Sequence, residues 1–374
     1  MNKKTKKILF SIVVITHERP VEIIKCIKSI LSAGVNFRDV TEIIVIDSSN
    51  KNTVKYPNGI IITRRPDIKD AASKRNIGAQ KSKAQWVAFV DDDCTVPNYF
   101  FKQIAKTIKS SDKQTGGWYA VTSFKGKKQY ALRAIEKSSF TEAFRMAKKS
   151  KTLIWGPTSI AIFRKKALTS IGGFREDFST KSGGEDVDLG VRLTKSGWIL
   201  RTIPKTLVFH DTATWNTIGQ NVQRFIKYGR SDIDLTRHHP SDTILKFNSG
   251  LVLLTSFFII LFWGPINISY LLLRSIVYIL ATTITFALYF SIALRIRFSY
   301  ALLLVLYDRA YEFGTFSESI KQRSLKSLFF RFAYQEKPVL LGRSKWIYPR
   351  EIGDILGMTI AFFIVLYIIP TINN

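Results

Sequence analysis

Cysteine is nearly absent from this chain: Cys26 and Cys94 are the two in 374 residues. Two thiols cannot build a disulfide framework, and reduced cysteines suit a cytoplasmic setting. Acidic residues are scarce as well, 28 against 56 Lys and Arg, leaving a net charge of +28. Such an excess attracts polyanions: nucleic acid, anionic lipid headgroups or phosphorylated ligands. No nucleic-acid-binding signature occurs. Eleven of the basic residues, Arg295 to Arg350, lie between two apolar stretches, where lipid is the nearer polyanion, so nucleic acid is set aside. A cleavable leader is not expected either. Met1 to Lys7 is basic and Ile8 to Ile15 mostly apolar, but the run is short, and Thr16-His17-Glu18-Arg19 follows without a small-residue cleavage site. A buried first strand is expected there.

What is present divides in two. Apolar residues make up 46% of the chain, but unevenly. Residues 1–246 mix charged and apolar positions as a soluble domain does. Residues 247–374 hold long uncharged stretches. Phe247 to Leu273 carries no charge, Arg274 interrupts once, and Ser275 to Leu294 is again uncharged. A membrane span needs about 20 apolar residues, so this stretch accommodates two, broken at Gly264-Pro265-Ile266-Asn267. Three transmembrane helices are expected, roughly 248–264, 268–293 and 353–370. The alternative, buried helices of a soluble core, lacks a soluble segment to cover them. The basic segment 295–350 should be cytoplasmic by the charge rule for short loops, which puts the soluble domain on the same side and the C-terminus outside. Phe298 to Tyr307 is too short to span; its aromatics suit an interfacial helix or a re-entrant segment.

Within residues 1–246, short β-branched runs alternate with helical patterns. Strands are expected at Phe10–Ile15, Glu42–Ile46, Ile60–Ile62 and Trp86–Val90, with a Trp198 strand (Gly197–Leu200) and Thr206–Phe209 further on. A helix should start at Pro20 and stop at Gly34, with Ile23, Ile24, Ile27, Ile30 and Leu31 at helical spacing. Another should cover Asp70–Lys83. The implied class is α/β: a mainly parallel sheet with helices on both faces. Ligands of such sheets bind beyond the carboxyl ends of the strands. Thr16, Asp47 and the Asp91 cluster all sit at such ends, where one ligand could touch all three.

Asp91-Asp92-Asp93 directly follow a buried strand. Three packed carboxylates repel unless a cation offsets them, and hard oxygen ligands suit Mg2+ or Mn2+ with a substrate diphosphate completing the shell. A solvated acidic turn is the bland reading; the strand context favours metal. A second acidic block, Gly183-Gly184-Glu185-Asp186-Val187-Asp188-Leu189, opens a helix. Val187, Val191 and Leu193 can face the core, leaving Glu185 and Asp186 exposed. Helix-dipole pairing explains an acid there, and a carboxylate near a sugar hydroxyl can act as general base. His210, at the end of a strand, can ligate a metal or bond a phosphate or be merely structural. Arg224 and Arg230 can clamp a diphosphate or form the basic collar of the first span.

Taken together these motifs resemble family 2 glycosyltransferases of the GT-A, Rossmann-like fold, in that family's order. Ser11–Arg19 looks like the opening strand and loop, which carries Thr16 and Glu18. Val45-Ile46-Asp47 resembles the strand whose aspartate contacts the base. Ala72–Gly78 is similar to the Ala-Arg-Asn-x-Gly helix, and Phe89–Pro97 to the metal-binding signature. Ile171–Glu176 with Gly184–Leu189 is similar to the acceptor-side block. The likeness covers roughly residues 8–232. It implies that Asp47, Arg75 and Asp91 serve the nucleotide sugar, and that Asp93, Asp91 and His210 hold Mg2+ or Mn2+; Thr16, Glu18, Asp92, Arg224 and Arg230 are further candidates for the nucleotide sugar. Asp186, with Glu185 beside it, would be the base. The implied reaction is transfer of one sugar with inversion from a nucleotide-sugar donor to a lipid-linked acceptor, on the cytoplasmic side of a cell membrane, as in cell-envelope polysaccharide or glycolipid synthesis. Ser48-Ser49-Asn50 departs from the usual loop after Asp47, and Trp155-Gly156-Pro157-Thr158 from the usual Gly-Asn turn. The Gln-x-x-Arg-Trp signature of processive synthases is absent, so a processive synthase is the rival enzyme. A non-catalytic membrane scaffold retaining the fold is the rival from another class.

Overall fold

The computed structural model describes residues 8–37, 41–51, 54–181, 183–245, 268–324, 326–333 and positions 357, 359, 360, 363 and 364. The chain forms two compact units, one of Met1–Lys127 with Glu142–Thr214, the other of Lys128–Thr141 with Trp215–Asn374. The boundary expected near residue 246 lies within the second of these units, where the helix Ile218–His238 packs against the helix Phe298–Lys321.

The first unit is built on an eight-stranded sheet: β1 Phe10–Thr16, β2 Thr41–Asp47, β3 Ile61–Arg64, β4 Trp86–Asp91, β5 Cys94–Thr95, β6 Thr115–Lys125, β7 Ile160–Arg164 and β8 Ile199–Asp211. Their order is β3-β2-β1-β4-β7-β6-β8-β5. The pairs β2–β3, β1–β2, β1–β4 and β6–β8 are parallel, while β4–β7, β6–β7 and β5–β8 are antiparallel. This is the mixed, mainly parallel α/β sheet the strand–helix alternation implied. The short strands expected around Trp198 and Thr206 are one strand, β8. Pro204 has no N–H to give a ladder, and the β6–β8 pairing is irregular there, stepping from Ala120↔Ile203 to Val121↔Thr206.

Helices cover both faces because successive strand residues point to opposite sides. Ile12 and Val14 meet Ile23, Cys26, Ile27 and Ile30 of α1 (Pro20–Ala33), together with Phe100, Phe101 and Ile104 of α3 (Phe100–Lys109). Each fully buried aliphatic side chain there contributes ~1.5–3 kcal/mol relative to exposure. Val13 points the other way, towards α2 (Ala71–Lys81). A Cβ added at Gly78 of α2 would sit 2.3 Å from Val13 Cγ1, so the helix lies directly on the strand. Asp70 caps α2 by accepting from Ser73 N at 2.6 Å, a start the sequence signalled, and the helix stops two residues earlier than expected, at Lys81.

In the second unit, α7 (Ile218–His238) and the 24-residue helix Phe298–Lys321 touch backbone to backbone. A Cβ at Gly229 would lie 2.0 Å from Tyr311 O, and one at Gly314 2.2 Å from Ile226 O. Phe225 stacks on Tyr307 with ring centroids 5.0 Å apart. The segment Phe298–Tyr307, expected as a short interfacial helix, is thus the first part of a much longer one that buries Ala301, Leu304 and Tyr307. Of the three expected spans, 268–293 is the helix Ile268–Ala293. Its part Ser275–Ala293, 19 residues with mean hydropathy 2.0, is long and apolar enough to cross a membrane. Ile276, Ile279 and Ile292 on it are exposed. The spans 248–264 and 353–370 fall outside the described residues, apart from the five positions named above.

Candidate functional site

The carboxyl ends of β1, β2 and β4 are brought level by strand register. Thr16 stands opposite Asp47, and Ile15 opposite Asp91. The chain leaves β1 through Glu18, whose φ of +53° lies in the left-handed region. That conformation is unusual for a non-glycine residue. Glu18 N donates to Ser49 Oγ at 2.9 Å, and its carboxylate accepts from Asn50 N at 2.7 Å, which ties the two loops together. Asp47 is fully committed: one oxygen accepts from Ser49 N, the other from Tyr56 Oη and Arg64.

Asp92 turns back towards β1. It accepts from Thr16 Oγ1 at 2.7 Å and from Arg19 at 3.0 Å. Burial pushes its carboxyl up to about 6, with Arg19 pulling the other way. Arg19 also reaches Asp93 at 3.1 Å. Lys74 of α2 is buried, donating to Ser48 Oγ at 3.1 Å, and burial lowers its pKa. Arg19 and Lys74 stand inside motifs that sequence reading recognised, yet neither was singled out. Their signal was a cation within reach of a strand-end carboxylate, legible only once the loops are folded.

Arg75, on the next position of α2, spans two acidic blocks that are 94 residues apart in sequence (185 minus 91). It donates to Asp91 at 3.1 Å and to Glu185 at 2.7 Å. Its guanidinium lies 5.6 Å from the Phe174 ring. The loop carrying Phe174 is pinned by Asn76, which donates to Phe174 O and accepts from Phe174 N. Burial alone would lower the Arg75 pKa, but Asp91 and Glu185 hold it up.

Glu185 is the first residue of α6 (Glu185–Lys195). Gly183 and Gly184 approach it with φ of +116° and +88°, a region that favours glycine. The turn lets the Glu185 carboxylate fold back to accept from Gly183 N at 2.5 Å. The expectation that Glu185 is exposed is therefore wrong: it is 5% exposed, because Arg75 supplies a buried counter-charge. Asp186 stays partly exposed. Burial pushes its carboxyl up to about 7, with Glu185 adding and Arg75 opposing. Val187, Val191 and Leu193 face the core as expected.

Cys94 of β5 stands opposite His210 of β8 across an antiparallel pair, so both side chains leave the same face. His210 Nε2 lies 3.3 Å from Asp93 Oδ1, and one ligand atom each from Asp93, Cys94 and His210 fall within 4.8 Å of one another. His210 Nδ1 contacts Asp211 O at 3.1 Å. A carbonyl can only accept, so Nδ1 carries a proton. The close Nε2–Oδ1 approach is satisfied by a proton on Nε2 or by a cation between the two atoms, and imidazole and carboxylate are suitable donors for a divalent ion. Cys94 went unnoticed as a donor in the sequence, since nothing there says which strand pairs with β5.

Contacts thus connect Thr16, Arg19, Asp92 and Asp93 to one another, Asp93 to His210, and Asp91 to Arg75 and Glu185, while strand register sets Asp47 beside Thr16, all in the first unit. Arg224 and Arg230 belong to the second unit. There Arg224 lies 3.7 Å over the Trp215 ring and donates to Asn221 at 2.7 Å.

Residues 11–172 match the family model described as glycosyl transferase family 2. A curated relative, the pre-mycofactocin glycosyltransferase of Mycobacterium tuberculosis, is 29% identical over 193 residues, 51% of this chain and 40% of the relative. An uncharacterized glycosyltransferase of Haemophilus influenzae is 32% identical over 95 residues, 24% of this chain and 31% of that one. The chain spans less than half the length of these curated relatives. Among solved structures, S. aureus TarS 1–349 is 13% identical with a TM-score of 0.43, over 85% of this chain and 92% of that one. The mannosyltransferase PcManGT of Pyrobaculum calidifontis, solved with GDP-Man and Mn2+, is 13% identical with a TM-score of 0.46, over 95% of this chain and 88% of that one.

Proposed function

We propose, from the premise that residues 11–172 are a family 2 glycosyltransferase domain, that this protein moves one sugar from a nucleotide-sugar donor to a membrane-associated, lipid-linked acceptor. The observation that carries the reading is the Arg75 bridge. It joins the acidic loop after β4, suited to a donor diphosphate and its cation, to the helix that presents Asp186.

Asp93 and His210 would hold the divalent cation, Mg2+ or Mn2+, with Asp91 beside them. When bound, that cation neutralises negative charge developing on the leaving nucleoside diphosphate. The remaining work falls to the chain's own groups. Thr16, Glu18 and Asp47 shape the pocket for the nucleotide, Asp47 through the Ser49 turn it fixes. Asp92 holds Arg19 beside Asp93. Asp186 takes the proton from the attacking acceptor hydroxyl; a carboxyl near 7 is a competent base at neutral pH without being permanently ionised. The attacking oxygen approaches the face opposite the leaving group, giving inversion. The apolar helix Ile268–Ala293 supports attachment to a membrane, and the basic excess between residues 295 and 350 supports a cytoplasmic domain.

The test supplies the purified full chain with a panel of radiolabelled nucleotide sugars and a lipid extract, with and without chelator. Label should move from one donor into the organic phase, and chelator should stop it. Label that stays aqueous with every donor refutes the lipid acceptor. Transfer indifferent to chelator refutes the cation.

A further inference from the structure

The cluster at Asp93 carries more than a hard-cation site needs. Oxygen and imidazole donors are sufficient for Mg2+ or Mn2+; a thiol is not a ligand either ion prefers. Yet Cys94 is fully buried with its sulfur 3.9 Å from Asp93 Oδ1, and the sheet register aims it at the face that His210 occupies. From these three side chains we infer that the cluster is also a Zn2+ site of Asp93, Cys94 and His210, with one position left open. The inference deepens the reading above, since Asp93 and His210 are shared, but it needs no sugar transfer to be tested.

The spacing fits. Tetrahedral zinc with bonds of about 2.0–2.1 Å to nitrogen and oxygen and about 2.3 Å to sulfur sets its ligand atoms about 3.3–3.6 Å apart. The observed Nε2–Oδ1 separation is 3.3 Å and the Sγ–Oδ1 separation 3.9 Å. The imidazole is already oriented by its Nδ1 contact to Asp211 O, the second contact that ligating histidines use. The strand pairing sets Cys94 opposite His210 with the three ligand atoms within 4.8 Å of one another, so a shift of the Cys94 sulfur towards the other two completes the set. On binding, the Cys94 thiol proton passes to solvent and the thiolate takes its place on the metal. For such a mixed donor set zinc outranks manganese in affinity. Zinc seated here displaces the harder ion, so the thiol makes the site sensitive to free zinc.

The experiment uses the full chain without nucleotide and Cd2+ as spectroscopic probe. The expected result is sulfur-to-cadmium charge-transfer absorption that saturates at one ion per chain. It should vanish in C94S and C94A and persist in C26S, because Cys26 directs its sulfur to Asp91 O instead. H210A and D93N, which keep the thiol, should each weaken Cd2+ binding at least tenfold. In a parallel measurement, Zn2+ should displace bound Mn2+, followed by the Mn2+ resonance signal. In C94A that advantage should fall at least tenfold. A band that survives in C94S, one that is lost in C26S, or equal zinc competition in C94A overturns the inference. Absence of sugar transfer alongside a Cys94-dependent band sinks only the catalytic reading. Manganese-dependent transfer without the band sinks only this one.

Discussion

Replacing Arg75 by methionine tests the central contact of the site. Its guanidinium side chain is 6% exposed and bonds Asp91 and Glu185. Two unit charges near 4 Å attract by ~4 kcal/mol at an effective dielectric of 20. Most of that offsets desolvation, but losing the cation leaves Glu185 buried without a partner. Breaking a buried pair in this way costs ~3–5 kcal/mol. R75M should therefore lower the unfolding free energy of the full chain by that amount, read from its urea titration. R75M/E185Q removes both charges and should recover ~1–3 kcal/mol relative to additivity. Urea unfolding across this cycle decides the matter. A loss under about 1 kcal/mol in R75M, with no coupling to E185Q, would refute the clamp.

Four further outcomes are expected. D93N should reduce transfer at least a hundredfold (~3 kcal/mol) and abolish high-affinity Mn2+ binding, read by titration of the free protein. With the Asp186 carboxyl near 7, kcat/KM should rise with pH and reach half its plateau near neutrality; D186N should lose that limb together with the rate. The same raised value means that stability present below about pH 4 declines as pH rises through 7, by ~2 kcal/mol once partial exposure is discounted, so the thermal midpoint of D186N should fall less over that window than that of the parent chain. G78A places a methyl group against Val13 and should destabilise the chain by ~1–3 kcal/mol, seen in the urea midpoint. A stabilised G78A would mean that α2 does not sit directly on β1.

Much of the first unit could be read in advance because its signals are local. Short β-branched runs gave β1, β2 and β4, and Pro20 and Gly34 bracketed α1. Carboxylates at strand ends marked the site, since in an α/β sheet those ends face one edge. Folding decided what depends on pairing distant segments. Nothing local says that β5 lies against β8, so Cys94 beside His210 was hidden. An acid at a helix start looks exposed until a cation from elsewhere is buried against it, and Glu185 met Arg75 only through the packing of α2. The continuity of β8 across Pro204 was likewise settled by irregular pairing with β6. Sequence alone determined which residue types the chemistry could use, because composition and spacing are properties of the chain. Tertiary structure decided which of them share a charge, because Coulomb and coordination energies depend on separations that only the folded backbone fixes.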